Sequence, residues 1–299
     1  MVNSFTSVII PVFNDSKGLR KCLKALQNQT YPEELFETIV VDNNSDQDIK
    51  TVVDQFDKII FAHETYPTSY AARNKGIFLA KGEVLAFTDA DCIPAPDWIE
   101  KGVKNLFSIP GCGMVGGKVN LLFRNPNKPT TIELYESIMH FRQKEFVEKY
   151  KFSPTCNLFT YKHVFKKVGL FNATLKSCGD LEWGCRVYSV GYKQVYTDEA
   201  CIVHPARSSF TKLCKRIIRI AGGEHSIAAT KKFSFTIIVK NLVTRVLLFF
   251  RDIFIICFDK RLKEGKQRVK VFLVFLYVKS LRVLEKIRLH LGGKPKGRQ

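Results

Sequence analysis

The feature that most constrains the fold is an alternation of short apolar runs with helical segments over the first 90 residues. The runs are rich in β-branched residues, and apolar residues recur at helical spacing over 16–28 and 67–81. Strands that alternate with helices predict right-handed βαβ units and a mostly parallel sheet, buried on both faces. The predicted strands are 7–12, 38–41, 58–62 and 83–87.

Polar and acidic residues follow three of these strands. The first strand runs into Asn14 and Asp15, the second into residues 42–46, and the fourth into Asp89 and Asp91. In an open parallel sheet, ligands bind in the crevice beyond the carboxyl ends of the strands. The sequence therefore predicts a site at one edge of the sheet.

The same texture continues to about residue 205. Helices are predicted over 97–107, 130–150, 162–168 and 179–190, and strands over 113–122, 156–161 and 193–203. We therefore predict an α/β domain over residues 1–206, in which helices flank a mostly parallel sheet. A second region of different composition covers residues 207–299.

The net charge of +19 is concentrated in that second region. Residues 207–299 hold 23 Lys and Arg against 5 Asp and Glu, which gives +18 and leaves +1 for residues 1–206. A neutral globular part joined to a basic segment suggests contact with an anionic surface. Charge alone does not choose between phospholipid and nucleic acid.

Two segments of the basic region, 242–258 and 269–291, are helical in pattern, very apolar and interspersed with Lys and Arg. Neither contains the charge-free run of about 18 residues that a membrane span needs. On the first segment the polar face holds Asn241, Arg245, Asp252 and Asp259, and away from it lie Phe249, Phe250, Ile253 and Phe254. We expect interfacial amphipathic helices on an anionic membrane, and no nucleic-acid partner.

Cysteine usage and the first residues bear on the compartment. The nine cysteines show no CxxC spacing, which indicates neither a disulfide framework nor a zinc site. The first residues run directly into a strand, without a basic segment and an apolar signal core. Both features suit a reducing cytoplasm, so we predict a peripheral protein on the cytoplasmic face of the membrane.

The strongest local signal is Asp89-Ala90-Asp91. Two carboxylates at positions i and i+2, just past a buried strand, can hold a hard divalent cation that leaves positions open for phosphate oxygens. Such an ion neutralises the charge of a departing diphosphate. Two acids in a loop are more often solvated or cap a helix, but this pair follows an apolar strand, which favours a metal site.

At these residues the chain resembles glycosyltransferase family 2, whose members are inverting enzymes with the nucleotide-diphospho-sugar transferase (GT-A) fold. The resemblance covers about residues 5–205, and its motifs occur in the family's order. The matching stretches are SVIIPVFND (7–15), VVDNNSDQ (40–47), AARNKGIFLAKGEVLAFTDADCIP (71–94), VGLFN (168–172) and GDLEWGCRVYSVGYK (179–193). The resemblance implies that one sugar moves from a nucleotide-diphosphate donor to a hydroxyl acceptor, in lipid-linked or cell-surface glycan assembly.

The resemblance also implies which residues bind the nucleoside of the donor. The nucleobase pocket would be shaped by Pro11, Val12, Phe13 and Asn14. Asp42 would accept hydrogen bonds from the base. These residues follow the first two strands, at the predicted site edge.

A second group is implied for the diphosphate, the sugar and the metal ion. Arg73 and Asn74 would face the diphosphate or the sugar, and Asp89 with Ala90 would contact the ribose or the donor sugar. Asp91 would bind Mn²⁺ or Mg²⁺ directly, and the cation would screen the pyrophosphate. For Arg73 the alternative is a surface salt bridge.

The resemblance places the catalytic base at the start of the helix over 179–190. Asp180 matches the family's acidic residue there, and an inverting transfer needs one carboxylate near the acceptor hydroxyl. The usual pattern has a second acid directly before it, where this chain has Gly179. Glu182 therefore competes with Asp180, which could instead be a plain N-terminal cap. His204 would complete the metal shell, or it is a structural histidine.

Four rival interpretations stay open. Processive synthases of the same family add a QxxRW motif and membrane spans, and neither is present in the sequence. A nucleotidyltransferase would carry a Gly-rich loop after the first strand, where this chain has Asn14-Asp15-Ser16. The others are a nucleic-acid-binding protein and an inactive nucleotide-sugar-binding module. The intact acids at positions 42, 89, 91 and 180 count against the inactive module.

Overall fold

The computed structural model describes residues 3–229 and 235–297, with the side chains at these positions except 235–243 and 245. The described chain forms two compact units. The sheet unit holds residues up to 121 and 142–205, and the helical unit holds residues 122–141 and 206–297. The helical unit thus includes 122–141, which the sequence analysis assigned to the first domain. The predicted boundary after residue 206 stays a prediction.

The sheet unit contains a sheet of eight described strands in the order β3-β2-β1-β4-β7-β6-β8-β5. The strands are β1 (Thr6–Val12), β2 (Phe36–Asp42), β3 (Ile59–His63), β4 (Val84–Thr88), β5 (Ile93–Pro94), β6 (Cys112–Leu122), β7 (Asn157–Tyr161) and β8 (Lys193–Pro205). Every residue of β1 is buried, because helices cover both faces of the sheet at this point. The continuous apolar runs in the sequence reflect this double burial.

The sheet is parallel in one half and mixed in the other. Strands β3, β2, β1 and β4 are parallel, and their register sets Val12 opposite Asp42. Strand β7 is antiparallel to both β4 and β6, and β5 is antiparallel to β8. The α/β prediction is confirmed, and its mostly parallel character holds for the strands that the early βαβ pattern identified.

The helices of the sheet unit are α1 (Ser16–Gln27), α2 (Lys50–Val53), α3 (Ser69–Leu79), α4 (Trp98–Phe107), α6 (Gln143–Glu148), α7 (Lys162–Val168) and α8 (Gly179–Ser189), and α5 (Thr131–Met139) lies in the helical unit. Side-chain caps fix two of the helix starts. Asp15 accepts a hydrogen bond from Gly18 N, and Thr68 accepts one from Ala71 N. Helix α3 lies close to β1, since a Cβ atom on Gly76 would come within 2.5 Å of Ile9.

The predicted helix over 130–150 is two helices. Helix α5 ends at Met139 and α6 begins at Gln143. Between them Phe141 has a φ of 54°, a left-handed conformation that ends an α-helix. The apolar periodicity continues through this point, so periodicity alone could not locate the break.

The helical unit is completed by α9 (Phe210–Ala229), α10 (Phe235–Phe258) and α11 (Gly265–His290). Its core is apolar and includes Tyr135, Leu213, Ile256, Phe275 and Val278. Within the described ranges, no helix combines the length and the apolar character that crossing a membrane requires.

The described faces of α10 differ in part from the prediction. Phe250 and Phe254 are exposed as expected, whereas Phe249 and Ile253 pack against the core of the helical unit. Asp252, expected on a solvated face, is buried and forms ion pairs with Arg251 and Lys279. The Asp252 carboxylate therefore faces the interior of the helical unit, where its burial is possible because its charge is paired. The predicted polar-face side chains of Asn241 and Arg245 lie outside the described residues.

Candidate active site

The Asp89-Ala90-Asp91 segment forms a turn directly after β4. Cys92 N donates a hydrogen bond to Asp89 O at 3.0 Å, which closes this turn. His204, near the end of β8, places its Nε2 atom 3.7 Å from Asp91 Oδ1. Two residues that are far apart in the chain thus meet where β4 and β8 end.

Asp91 and His204 belong to a group that could hold a metal ion. One potential ligand atom each from Asp91, Cys92 and His204 lies within 4.8 Å of the others. Burial raises the pKa of the Cys92 thiol well above its usual value, which makes this group a poorer ligand than the other two. The carboxylate oxygen and the imidazole nitrogen are suitable ligands for a divalent transition metal.

Arg73 connects the metal turn with helix α3. Its side chain is buried, and its Nη2 atom forms an ion pair with Asp89 Oδ1. Its Nε atom is also buried and has no hydrogen-bond partner among the described residues. A surface salt bridge, the alternative for Arg73, does not describe this buried group.

Asp180 lies in the first turn of α8, beside α3. Its Oδ1 atom accepts hydrogen bonds from Leu181 N at 3.0 Å and from Tyr70 Oη at 3.3 Å. Burial raises the pKa of the Asp180 carboxyl, while the Leu181 amide and the Arg73 charge oppose the rise. A carboxyl group in this setting has a higher proton affinity than an exposed one, as a general base requires.

Glu182 is engaged differently. Both of its carboxylate oxygens accept from Arg186, at 2.7 and 3.0 Å. The same guanidinium also donates to the carbonyl groups of residues 168, 169 and 170. Glu182 thus orients the Arg186 side chain, which joins α8 to the residues that follow α7.

The loops after β1 and β2 are joined by polar side chains. Asn14 adopts a φ of 52°, and its side chain bonds both the backbone and the carboxylate of Asp46. Asp42 is buried, accepts from Ser45 N at 3.2 Å and lies 3.3 Å from His63 Nδ1. Asp42 therefore holds the loop after β2 in shape at the predicted nucleobase pocket.

The other predicted donor-binding residues occupy different positions. Pro11 and Val12 are buried within β1, Phe13 is exposed at its end, and Ala90 is buried in the metal turn. Asn74 is in α3, and its amide donates to Phe171 O at 2.8 Å and accepts from Phe171 N at 3.1 Å. The described contact of Asn74 is thus with the backbone, and its donor contact stays a prediction.

The predicted site residues form two groups at one edge of the sheet. The first contains Asp89 and Asp180, which are linked through Arg73 and Tyr70, and Asp91, which follows Asp89 in the same turn and contacts His204. The second surrounds Asp42, whose strand lies two strand spacings from β4, about 10 Å away. Sequence reasoning missed Tyr70, because no spacing rule connects a residue of α3 with the start of α8.

Two solved structures share this architecture. The mannosyltransferase PcManGT from Pyrobaculum calidifontis, in complex with GDP-Man and Mn²⁺, has a TM-score of 0.64 at 15% identity, over 96% of this chain and 87% of that one. TarS residues 1–349 from S. aureus, in complex with UDP, gives 0.54 at 17% identity, over 96% and 91%. At these identities the likeness shows the fold, which is GT-A as predicted.

Sequence comparisons identify the family. Glycosyltransferase AglE from Haloferax volcanii is 39% identical over 225 residues, which cover 74% of this chain and 73% of the relative. A Methanococcus voltae enzyme, dolichyl N-acetyl-alpha-D-glucosaminyl phosphate 3-beta-D-2,3-diacetamido-2,3-dideoxy-beta-D-glucuronosyltransferase, is 24% identical over 278 residues, 86% of each chain. Residues 7–169 match the profile of Glycosyl transferase family 2. The chain therefore belongs to glycosyl transferase family 2 and is a glycosyltransferase with the GT-A fold.

Proposed function

We propose that the enzyme transfers one sugar from a nucleoside-diphosphate sugar to an acceptor hydroxyl, with inversion at the anomeric carbon. The observation that carries this proposal is the position of Asp180 beside the Arg73–Asp89 ion pair at the carboxyl edge of the sheet. Inversion in one step needs a carboxylate that takes the hydroxyl proton while the diphosphate leaves from the opposite face. Asp180 is suited to accept the hydroxyl proton and Arg73 to meet the charge of the leaving diphosphate, and the two side chains lie close together.

The proposed donor site runs from Asp42 to Asp89. Asp42 and Asn14 would bind and position the nucleobase, and Asp89 the ribose or the donor sugar. The buried Arg73 would hold Asp89 and meet the negative charge of the diphosphate. Structures of the same fold that contain GDP-Man or UDP support a nucleotide donor.

Asp91 and His204 are the proposed metal ligands. Their Oδ1 and Nε2 atoms lie 3.7 Å apart, close enough to bind one ion together. An imidazole in the ligand set favours Mn²⁺ over Mg²⁺, which prefers oxygen ligands alone. When bound, the ion would supply Lewis-acid stabilisation of the diphosphate leaving group.

Asp180 is the proposed base, in preference to Glu182. Arg186 holds both oxygens of Glu182 and balances its charge, whereas no ion pair is described for Asp180. Partial burial gives Asp180 a raised pKa, so its carboxylate accepts a proton more readily. The acceptor oxygen would attack the anomeric carbon as its proton passes to Asp180.

We further propose that the helical unit binds an anionic membrane surface, on its cytoplasmic face, and that the acceptor is lipid-linked. Large apolar side chains are exposed along one face of α10, namely Leu247, Phe250, Phe254 and Phe258. A second exposed row on α11 comprises Val269, Leu273, Tyr277, Leu284 and Ile287, and the exposed Leu291 follows directly after the helix. Exposed Lys266 and Lys270 lie beside the second row, where lipid phosphates would meet them. The dolichyl phosphate in the name of the Methanococcus voltae relative agrees with such an acceptor.

A thermal-shift screen of UDP- and GDP-sugars, with and without Mn²⁺, tests the proposed donor and metal. We expect one nucleotide class to raise the Tm by about 3–5 °C at a concentration of 100 Kd, and only with Mn²⁺. Asp91→Asn should abolish this shift. Asp54→Asn, which changes an exposed carboxylate directly after α2, is the control and should retain it.

The screen, together with assays of nucleoside diphosphate release, DNA retention and vesicle flotation, separates the rival interpretations. Stabilisation that persists in Asp91→Asn would contradict the metal assignment. Donor binding without release of nucleoside diphosphate would favour an inactive sugar-nucleotide-binding module. Retention on DNA, without flotation on anionic vesicles, would favour a nucleic-acid partner.

A further inference from the structure

Tyr70 connects helix α3 with the proposed base. Its hydroxyl donates to Asp180 Oδ1 at 3.3 Å, and only 7% of the residue is exposed. The Phe171 ring lies 5.9 Å from the Tyr70 ring between centroids, and the Arg73 guanidinium lies 5.8 Å from it. The Tyr70 ring is therefore packed in place, and its hydroxyl is directed at the carboxylate.

The start of α3 is itself anchored near α8. Thr68 Oγ1 accepts from Ala71 N and donates to Ala173 O at 2.9 Å, in the loop that leads to α8. Tyr70 follows two residues later, in the first turn of the helix. These bonds limit the movement of Tyr70 relative to Asp180.

Gly179 leaves the space that the Tyr70 ring occupies. A Cβ atom at Gly179 would lie 2.8 Å from Cε2 and Cζ of Tyr70, closer than such atoms approach in proteins. Any side chain at 179 would therefore displace the ring. An aromatic hydroxyl from another helix thus lies against the turn that begins α8.

We propose that Tyr70 is a positioning residue, which orients the Asp180 carboxylate for proton transfer. The inference rests on the proposed function, in which Asp180 is the base. The hydrogen bonds from Tyr70 and Leu181 both reach Oδ1 of Asp180. In the proposed reaction Oδ2 is the oxygen that would face the acceptor hydroxyl.

The bond changes and the proton transfer of the proposed reaction follow from this arrangement. The acceptor oxygen forms a bond to the anomeric carbon, and the bond from that carbon to the diphosphate oxygen breaks with its electron pair. The hydroxyl proton moves to Oδ2 of Asp180. Tyr70 keeps its own proton throughout, because burial and the neighbouring Asp180 charge raise its pKa well above 10.

The test is Tyr70→Phe, assayed by release of nucleoside diphosphate from UDP- and GDP-sugars with Mn²⁺ and water as acceptor. The loss of one hydrogen bond to a charged group should lower kcat about 10-fold and leave the donor KM unchanged. Loss of a bond that favours the carboxylate should also move the acidic limb of the pH profile to higher pH. Tyr31→Phe is the control, because Tyr31 is equally buried but bonds the backbone of Ser4.

A second variant keeps the test decisive if Tyr70→Phe does not fold. Gly179→Ala retains the hydroxyl but pushes the ring away from its place, so it should shift the acidic limb in the same direction. Wild-type pH profiles in either folded variant would overturn the inference. An inactive Asp180→Asn beside an unaltered Tyr70→Phe would refute the role of Tyr70 alone, whereas an active Asp180→Asn would refute the proposed base.

Discussion

The Nε2 atom of His204 lies 3.7 Å from Oδ1 of Asp91, at the point where β8 and β4 end. His204 is buried, so its imidazole is held in place by its surroundings, whereas Asp91 is only partly buried and can be reached from solvent. An ion between them would be held by the sheet and remain open to a phosphate. This geometry is the physical basis of the proposed dependence on metal.

Replacing His204 by Ala should therefore weaken Mn²⁺ binding by about 10- to 100-fold, the range typical of changes in the support of a metal site. The free ion can be followed by electron paramagnetic resonance during a titration, without any sugar donor. His163→Ala, which removes a ring stacked on Tyr161, is the control. Equal Mn²⁺ affinity in both variants and the wild type would exclude His204 as a ligand.

The role of Asn74 can be separated from donor binding by measuring stability. Its amide makes two hydrogen bonds with the backbone of Phe171, a buried residue. Asn74→Ala leaves these backbone groups unpaired and should lower the free energy of unfolding by about 2 kcal/mol in urea. Asn105→Ala, which removes more exposed bonds, should cost less than about 0.5 kcal/mol. A stable Asn74→Ala with weakened donor affinity would instead support the predicted donor contact.

The sequence predicted the parallel half of the sheet, because buried strands there appear in the sequence as short apolar runs. The strands β1 and β4 are buried along their whole length and are mostly apolar, and polar residues begin where each strand leaves the sheet. The parallel register then brings Asp42 to the same edge as Asp89 and Asp91. Strand order beyond β4 depends on where long connections return, which no local pattern records.

Contacts between distant side chains were beyond the reach of sequence patterns. Tyr70 and Asp180 meet because α3 and α8 lie side by side, and the gap at Gly179 is visible only in three dimensions. Similarly, the inward turn of Asp252 depends on Lys279 of the next helix. The family resemblance supplied the candidate residues, whereas the structure supplied their partners.

The stability of the helical unit should depend on pH through His140. Burial and the neighbouring Arg216 charge lower the pKa of His140 to about 4, although the Glu136 carboxylate, 3.5 Å from its Nδ1 atom, opposes this. Its unfolded value is 6.5, so the folded state binds fewer protons. The stability that neutral His140 contributes is thus complete above pH 6.5 and is lost as the pH falls towards 4.

The size of this effect follows from the shift in pKa. A change of this kind corresponds to roughly 1–3 kcal/mol of unfolding free energy between pH 7 and pH 4. His140→Gln keeps a hydrogen-bonding group beside Glu136 but removes the titration, so its stability should fall less steeply over that range. Urea unfolding of both proteins at a series of pH values measures this. Parallel stability curves would show that His140 does not contribute.

Membrane binding should depend on the exposed aromatic row of α10. Phe250 and Phe254 are each 63% exposed, so their replacement by Ser removes apolar surface without opening the core. Because a buried Phe side chain contributes about 1.5–3 kcal/mol, the double variant should weaken binding to anionic vesicles at least about 10-fold. Flotation with equal parts of phosphatidylcholine and phosphatidylglycerol gives the affinity.

The matched control changes exposed apolar residues that lie outside the helical unit. Phe78 in α3 is 80% exposed and Leu170 is 49% exposed, so Phe78→Ser with Leu170→Ser removes similar surface from the sheet unit. This control should bind vesicles like the wild type, and binding of the wild type should weaken as salt screens the basic side chains. If the two double variants lose affinity equally, the apolar rows of the helical unit are not the membrane-binding surface, because general surface hydrophobicity would then account for the binding.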